Sequence, residues 1–178
     1  MSAELQPLGL PNYSVGPLFQ VARVTRDLRR TVDGMLRLGI GPWAVYTVDE
    51  SNLTGYTYRG RVEKSSTILM ALCRIGEMTY EVIEPVKGLS IYQDFLDERG
   101  EGIQHLCFDA RGDLFDSAVT TLQADGYSLL QTGTYMEQLR FAYFGTEEDL
   151  GTVMEIADIP ENFVFGAPDF VLGDPTAP

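Results

Sequence analysis

His105 is the only histidine in the 178-residue chain. It lies in the alternating stretch Gly102-Ile103-Gln104-His105-Leu106-Cys107-Phe108-Asp109. Such alternation predicts a half-buried strand, with His105, Cys107 and Asp109 on one face and Gln104, Leu106 and Phe108 on the other. An imidazole can bind a metal or move a proton near neutral pH, although a lone strand histidine is more often a plain core or surface residue. Three residues with donor oxygens sit in comparable runs: Gln20, Glu81 and Glu155. Gln20 shares its strand face with Ala22, Glu81 with Thr79 and Ile83, and Glu155 with Val153 and Ala157. An unpaired carboxylate among such neighbours is costly. A divalent cation would satisfy all four side chains. One imidazole nitrogen, two carboxylate oxygens and an amide oxygen suit Zn, Ni, Co, Mn or Fe(II). Taken singly, Gln20 also reads as a strand-edge polar residue, and Glu81 and Glu155 as rim carboxylates.

The elements that must position these residues follow from the rest of the pattern. Leu18 to Val24 has strand character. Thr25 is placed to cap a helix whose apolar positions Leu28, Val32, Met35 and Leu36 follow 3.6-residue spacing and which ends at Gly39. Trp43 to Val48 reads as a strand, and the polar stretch from Asp49 to Ser65 as a loop with room for a short strand. Ser66 to Ile75 and Met78 to Glu84 are strands around a Gly76-Glu77 turn, the second stopped by Pro85. Ser90-Ile91-Tyr92-Gln93 fits a capping box for a short helix ended by Gly100. The pattern then restarts with the His105 strand, a helix carrying Leu114, Ala118 and Leu122, and strands from Tyr127 to Thr134, Gln138 to Phe144 and Thr152 to Ala157. The organisation is an N-terminal arm (1–16), a first βαβββ module (17–85), a linker with a short helix (86–101), a second βαβββ module (102–160) and a tail (161–178) lying over the surface or fraying. The fold class is α+β. If each module curls its sheet into half a barrel, the first and last strands of both halves line one cleft.

A net charge of −13, with Lys64 and Lys87 the only lysines, argues against nucleic acid or an anionic membrane as partner. Cys73 and Cys107 cannot make a disulfide framework or a C-x-x-C zinc motif, and read as small apolar side chains. No apolar run reaches the roughly 20 residues of a membrane span, and the first residues lack a signal-peptide layout. A cytoplasmic protein with a small-molecule partner is the expectation.

Three segments carry a family likeness: Glu81-Val-Ile-Glu-Pro85, Gly100-Glu-Gly-Ile-Gln-His105-Leu-Cys-Phe, and Asp149-Leu-Gly-Thr-Val-Met-Glu155. They resemble the vicinal oxygen chelate superfamily (the glyoxalase, bleomycin resistance and dioxygenase group) from about Pro17 to Pro160, and within it the methylmalonyl-CoA epimerase-like branch. The resemblance implies an open barrel of two βαβββ modules with a central cleft. It places the family's metal ligands on Gln20, Glu81, His105 and Glu155. The epimerase branch usually has histidine at the first position, where this chain has Gln20, and Gln104 replaces the histidine that often precedes the third ligand. A Gln, Glu, His, Glu set resembles that of eukaryotic glyoxalase I.

The mechanism so implied is deprotonation beside a carbonyl, with the metal holding two neighbouring substrate oxygens and stabilising an enolate. Glu155 is the expected base and Glu81 the second choice. Glu63 lies nearest to a further acid/base residue of the epimerase branch, but beside Arg61 and Lys64 it also reads as an exposed charge. An extradiol dioxygenase resembles a two-histidine, one-carboxylate iron site, which one histidine cannot supply. A coenzyme A or glutathione thioester would want cations at the cleft mouth, for which Arg23, Arg59, Arg61 and Arg140 are available. Trp43, Tyr46, Tyr56, Tyr58, Phe141 and Tyr143 equally suit an aromatic or polyketide-like ligand. The substrate contacts expected are Trp43, Tyr46, Tyr58, Arg59, Arg140, Phe141 and Tyr143. A metal-dependent isomerase, epimerase or lyase leads, beside a small-molecule sequestering protein of the same fold and a metal-free enzyme of specialised metabolism. Related two-module chains often pair as dimers, which leaves a homodimer open; no exposed stripe here demands one.

Overall fold

The apolar runs fold into β1 (Leu18–Val24), α1 (Leu28–Arg37), β2 (Trp43–Val48), β3 (Leu53–Tyr58), β4 (Arg61–Val62), β5 (Thr67–Ile75), β6 (Met78–Lys87), α2 (Ile91–Glu98), β7 (Gly102–Asp109), α3 (Asp113–Ala124), β8 (Leu129–Tyr135), β9 (Leu139–Phe144), α4 (Glu147–Leu150), β10 (Val153–Asp158) and β11 (Phe170–Leu172). This computed structural model describes residues 15–64 and 66–173, so the expected arm lies outside the described residues except at its end. None of the described helices is long and apolar enough to cross a membrane.

The eleven strands of the described residues join one sheet in the order β11-β2-β5-β6-β1-β7-β10-β9-β8-β3-β4. Its two ends do not pair, which gives an open barrel of α+β class. On either side of the antiparallel β1–β7 seam the order is the same: first strand, last strand, third, second. Four strands therefore meet at the centre, β6-β1-β7-β10, two from each half.

Period-two alternation sorts the side chains between the two faces. On the outer face α1 packs Leu28 and Val32 against Trp43, Val45, Ala71 and Val82. There too α3 packs Phe115, Ala118 and Leu122 against Ala142, Phe144 and Ile156. The inner face gathers Val48, Ile68, Met70, Ile83, Tyr143 and Val153 with Tyr92 and Leu96 of α2. The α2 cap is as expected, Ser90 accepting from the Gln93 amide at 3.2 Å. The α1 cap is Asp27 rather than Thr25. Its carboxylate accepts from the Arg30 amide at 2.8 Å, because it stands directly before the first helical residue. Thr25 instead shares its hydroxyl with Thr31 at 2.8 Å.

Three stretches depart from the sequence expectation through long-range pairing. The stretch expected as a loop from Asp49 to Ser65 holds the β3–β4 hairpin, which leaves the first half to pair with β8 of the second. The tail beyond Pro160 is not merely surface coil: β11 pairs with β2, and Phe163 and Phe165 pack on the inner core. Each half thus has its outer strand covered by a segment from elsewhere in the chain, which satisfies an otherwise open edge. Pro85 does not stop β6. The β1 partner has already ended at the Val24–Ile83 pair, and the register shift in β5 at Thr67/Ile68 accommodates a residue without an N–H.

Candidate active site

Register brings the polar residues together. Across the four central strands Glu81, Ala22, His105 and Val153 form one row, and Thr79, Gln20, Cys107 and Glu155 the next. In each row a small side chain lies between the polar ones. Glu81 and His105 lean together over Ala22, which is fully buried, and Gln20 and Glu155 flank Cys107. Burial first, then Glu155, holds the Cys107 thiol well above its ordinary pKa, so it stays a neutral packing residue.

His105 Nε2 lies 3.3 Å from Glu81 Oε2 and 3.1 Å from Glu155 Oε2. Gln20 donates from its amide nitrogen to Glu81 Oε2 at 2.9 Å. The alignment is nevertheless wrong for hydrogen bonds at the centre: His105 Nε2 and Glu155 Oε2 are both buried and have no hydrogen-bond partner among the described residues. Burial pulls the imidazole pKa down, but Glu155 and Glu81 outweigh it and hold it up to about 9. Burial likewise raises Glu81, against the pull of His105.

Simple strand alternation places Gln104 on the opposite face from His105. Instead its Oε1 lies 2.6 Å from His105 Nδ1. The cause is a β-bulge: β1 pairs Ala22 with His105 and Arg23 with Ile103, so Gln104 is an extra residue and is re-aimed. An amide oxygen only accepts, so Nδ1 carries a proton and Nε2 faces the two carboxylates. This is the supporting contact that a metal-binding histidine commonly makes.

Among the described residues no group of three or more His, Cys, Asp or Glu side chains is placed to hold a metal ion. Glu81, His105 and Glu155 instead lie directly against one another. Their chemistry nonetheless suits a divalent cation, since an imidazole nitrogen and carboxylate oxygens are donors that such an ion takes. For Gln20 to join as a donor its amide must turn over, exchanging nitrogen for oxygen at the cost of its hydrogen bond to Glu81.

Gln20, Glu81 and Glu155 line a cavity of about 130 Å³ on the inner face. That is space for roughly ten waters. Phe141 and Tyr143 line it, as does Tyr56. Tyr143 stands edge-on to His105, ring centres 5.1 Å apart, and the Tyr92 hydroxyl donates to its oxygen at 2.8 Å. Gly133 makes room for Phe141: a Cβ there would come within 2.6 Å of its ring.

The other expected substrate contacts lie elsewhere. Trp43 is on the outer face under α1, its indole N–H on the Ile40 carbonyl at 2.8 Å. Arg140 is also on the outer face, paired with Asp158 and Asp116 and stacked over Phe115. Strand alternation allows only one of Arg140 and Phe141 to face inward, a signal present in the sequence. Tyr58 and Arg59 are both tied to Asp94 of α2 at 2.8 Å. Tyr46 packs on Phe165, ring centres 5.3 Å apart, without reaching the cavity. Glu63 follows the β3–β4 hairpin and does not line the cavity either. Tyr92, Tyr135 and Phe165 do line it, although nothing local in the sequence marks them.

Comparison with known proteins agrees with this architecture. No curated protein matches the sequence. A hypothetical protein from Bacillus halodurans C-125 superposes with a TM-score of 0.62 at 16% identity, covering 84% of this chain and 98% of its own. Methylmalonyl-CoA epimerase from Mycobacterium tuberculosis gives 0.60 at 19% identity, covering 85% and 93%. A variant of the Streptomyces coelicolor methylmalonyl-CoA epimerase, in complex with 2-nitronate-propionyl-CoA, gives 0.56 at 18%, covering 83% and 96%. At such identities these likenesses establish the fold. The family model described as Glyoxalase/Bleomycin resistance protein/Dioxygenase superfamily matches residues 19–144, and the chain belongs to that superfamily.

Proposed function

We propose that the protein is a metal-dependent isomerase, epimerase or lyase that removes a proton beside a carbonyl of a small oxygenated substrate. The observation that carries this reading is the convergence of buried Glu81, His105 and Glu155 with half-buried Gln20, His105 Nε2 and Glu155 Oε2 having no hydrogen-bond partner among the described residues. Glu81, His105 and Glu155 would hold the cation, with Gln20 the fourth donor once its amide is turned. When bound, a Zn, Ni, Co, Mn or Fe(II) ion supplies positive charge for the oxygen on which negative charge develops.

The remaining roles fall to the chain itself. Glu155 is the base, since it lines the cavity and its Oε2 accepts no hydrogen bond among the described residues. Glu81 is the second candidate. Tyr143 accepts from Tyr92, so its own proton is available to a substrate oxygen in the cavity. Phe141 and Tyr143 provide the wall on which the substrate lies. A single histidine leaves the two-histidine, one-carboxylate iron site of an extradiol dioxygenase without its second imidazole, and we do not propose that activity.

A sequestering protein of the same fold has one observation in its favour: Gln20 turns nitrogen, not oxygen, toward the candidate ligand Glu81. Elemental analysis of untagged protein, with deuterium exchange across 2-oxo, 2-hydroxy and acyl-CoA compounds, separates the two. Bound or readily restored divalent metal, and exchange abolished by Glu155→Gln, is the expected result. Protein that neither retains nor accepts a divalent ion, with activity indifferent to Glu155→Gln, would sink the reading; metal-free binding without exchange favours the sequestering protein.

A further inference from the structure

The balance of charge around the cavity limits what it can hold. All thirteen Lys and Arg residues of the chain fall within the described residues, and none of them lines the cavity. Its ionisable acids, Glu81 and Glu155, would do no more than neutralise a divalent ion held between them. Of the four arginines expected at the mouth, Arg59 is committed to Asp94 and Arg140 to Asp158, each at 2.8 Å. Arg23, whose buried Nε has no partner among the described residues, and Arg61 do not line the cavity. With a net charge of −13, the long-range field repels an anion as well. A substrate carboxylate or a phosphorylated tail would therefore be desolvated without a partner.

The walls offer something else. Phe141, Tyr143, Tyr135 and Phe165 present rings to the cavity. Phe165 comes from the tail, which runs from the end of β10 in one half to the edge of β2 in the other. It is fastened there by the β11–β2 pairing and by Asp169, which accepts from the Thr47 amide at 2.7 Å. Along this strap Val164 faces solvent while Phe163 and Phe165 pack inward on Tyr135, at 6.4 and 6.0 Å between ring centres. The neutral side chains of Tyr56 and Gln131 also line the cavity, the Tyr56 hydroxyl already on Gln131 Oε1 at 2.8 Å, so they add wall without adding charge.

From these observations we infer that the cleft takes a compact, uncharged aromatic carbonyl compound, with Phe165 as a specificity-determining wall, and does not take a coenzyme A thioester or a carboxylate. The carbonyl follows from the function proposed above; the aromatic and uncharged character follows from the lining. Calorimetric titration of untagged protein, as purified and again after zinc loading, tests it with three probes: 2-hydroxyacetophenone, phenylglyoxylate as an anionic aryl counterpart, and propionyl-CoA. The neutral probe is expected to bind at least tenfold more tightly than either anion, and Phe165→Ala to weaken it at least tenfold. Equal or tighter binding of an anionic probe, no binding of the neutral one, or a folded Phe165→Ala variant of unchanged affinity would each overturn the inference. The comparison among probes on the unsubstituted protein stands even where the variant does not fold. Deuterium exchange on zinc-loaded protein is scored separately. Binding of the neutral probe without exchange overturns proton abstraction and leaves the ligand class standing. Exchange confined to propionyl-CoA overturns the ligand class and leaves proton abstraction standing.

Discussion

Replacing Gln104 with leucine probes the part of the site that a single sequence face could not have assembled. Gln104 Oε1 holds the Nδ1 proton of His105 at 2.6 Å, and both residues are buried. Leucine would leave that N–H without a partner, at a cost of about 1–3 kcal/mol of stability. It would also free the ring to turn, and loss of such a supporting contact typically weakens metal binding about 10–100-fold. The unsubstituted protein sets the scale. With the His105 pKa held up to about 9, a cation arriving at about pH 7 must displace a tightly held proton, at a cost of roughly 3 kcal/mol. Apparent zinc affinity should accordingly rise about tenfold per pH unit toward that pKa. Because the chain has one histidine, the imidazole nitrogen resonances of 15N-labelled, untagged protein report this residue alone. Zinc should remove the Nε2 proton and leave the Nδ1 proton in place, and competition with a chelating dye should show the weaker binding of Gln104→Leu. If zinc binds through Nδ1, or the variant keeps both affinity and tautomer, the reasoning fails.

Other perturbations follow from the same geometry. In chelator-treated protein His105 is raised from 6.5 to about 9, so its contribution, about 3 kcal/mol at most, is fully present below pH 6.5 and is lost as pH rises through about 9. The raised Glu81 acts in the same direction, and urea unfolding should show lower stability at about pH 9.5 than at about pH 6; a flat profile would contradict it. Ala22→Leu places a large side chain between Glu81 and His105, which should cost about 1–3 kcal/mol and abolish zinc binding in the same titration. Ala22→Gly should retain that binding, and equal affinity in both variants would show that the row does not converge over this residue. Tyr143→Phe removes the hydroxyl that accepts from Tyr92 and should slow substrate deuterium exchange about 100-fold, while an unchanged rate would remove Tyr143 from the chemistry.

The sequence carried the repeated strand and helix pattern and the four strands that hold Gln20, Glu81, His105 and Glu155, because alternation and helical spacing are local properties. It also held the means to sort Trp43 from Tyr46, and Arg140 from Phe141, since residues an odd number apart on a strand face opposite ways. What it could not contain was pairing between distant segments. The β3–β4 hairpin is polar and short, and only the open edge of β8 makes it a strand. The tail has no period of its own, yet β2 gives β11 a partner and thereby brings Phe165 to the cavity.

Sequence alone thus determined which residue types could do chemistry here: one imidazole, two carboxylates and an amide on strands with small neighbours. Tertiary structure decided their register, the two rows that let side chains converge over Ala22 and flank Cys107. It decided as well that Gln104, through a bulge, holds the imidazole, and that the cations stay outside the cavity. These depend on which strand lies beside which, and that choice is made by burial and edge pairing summed over the whole sheet.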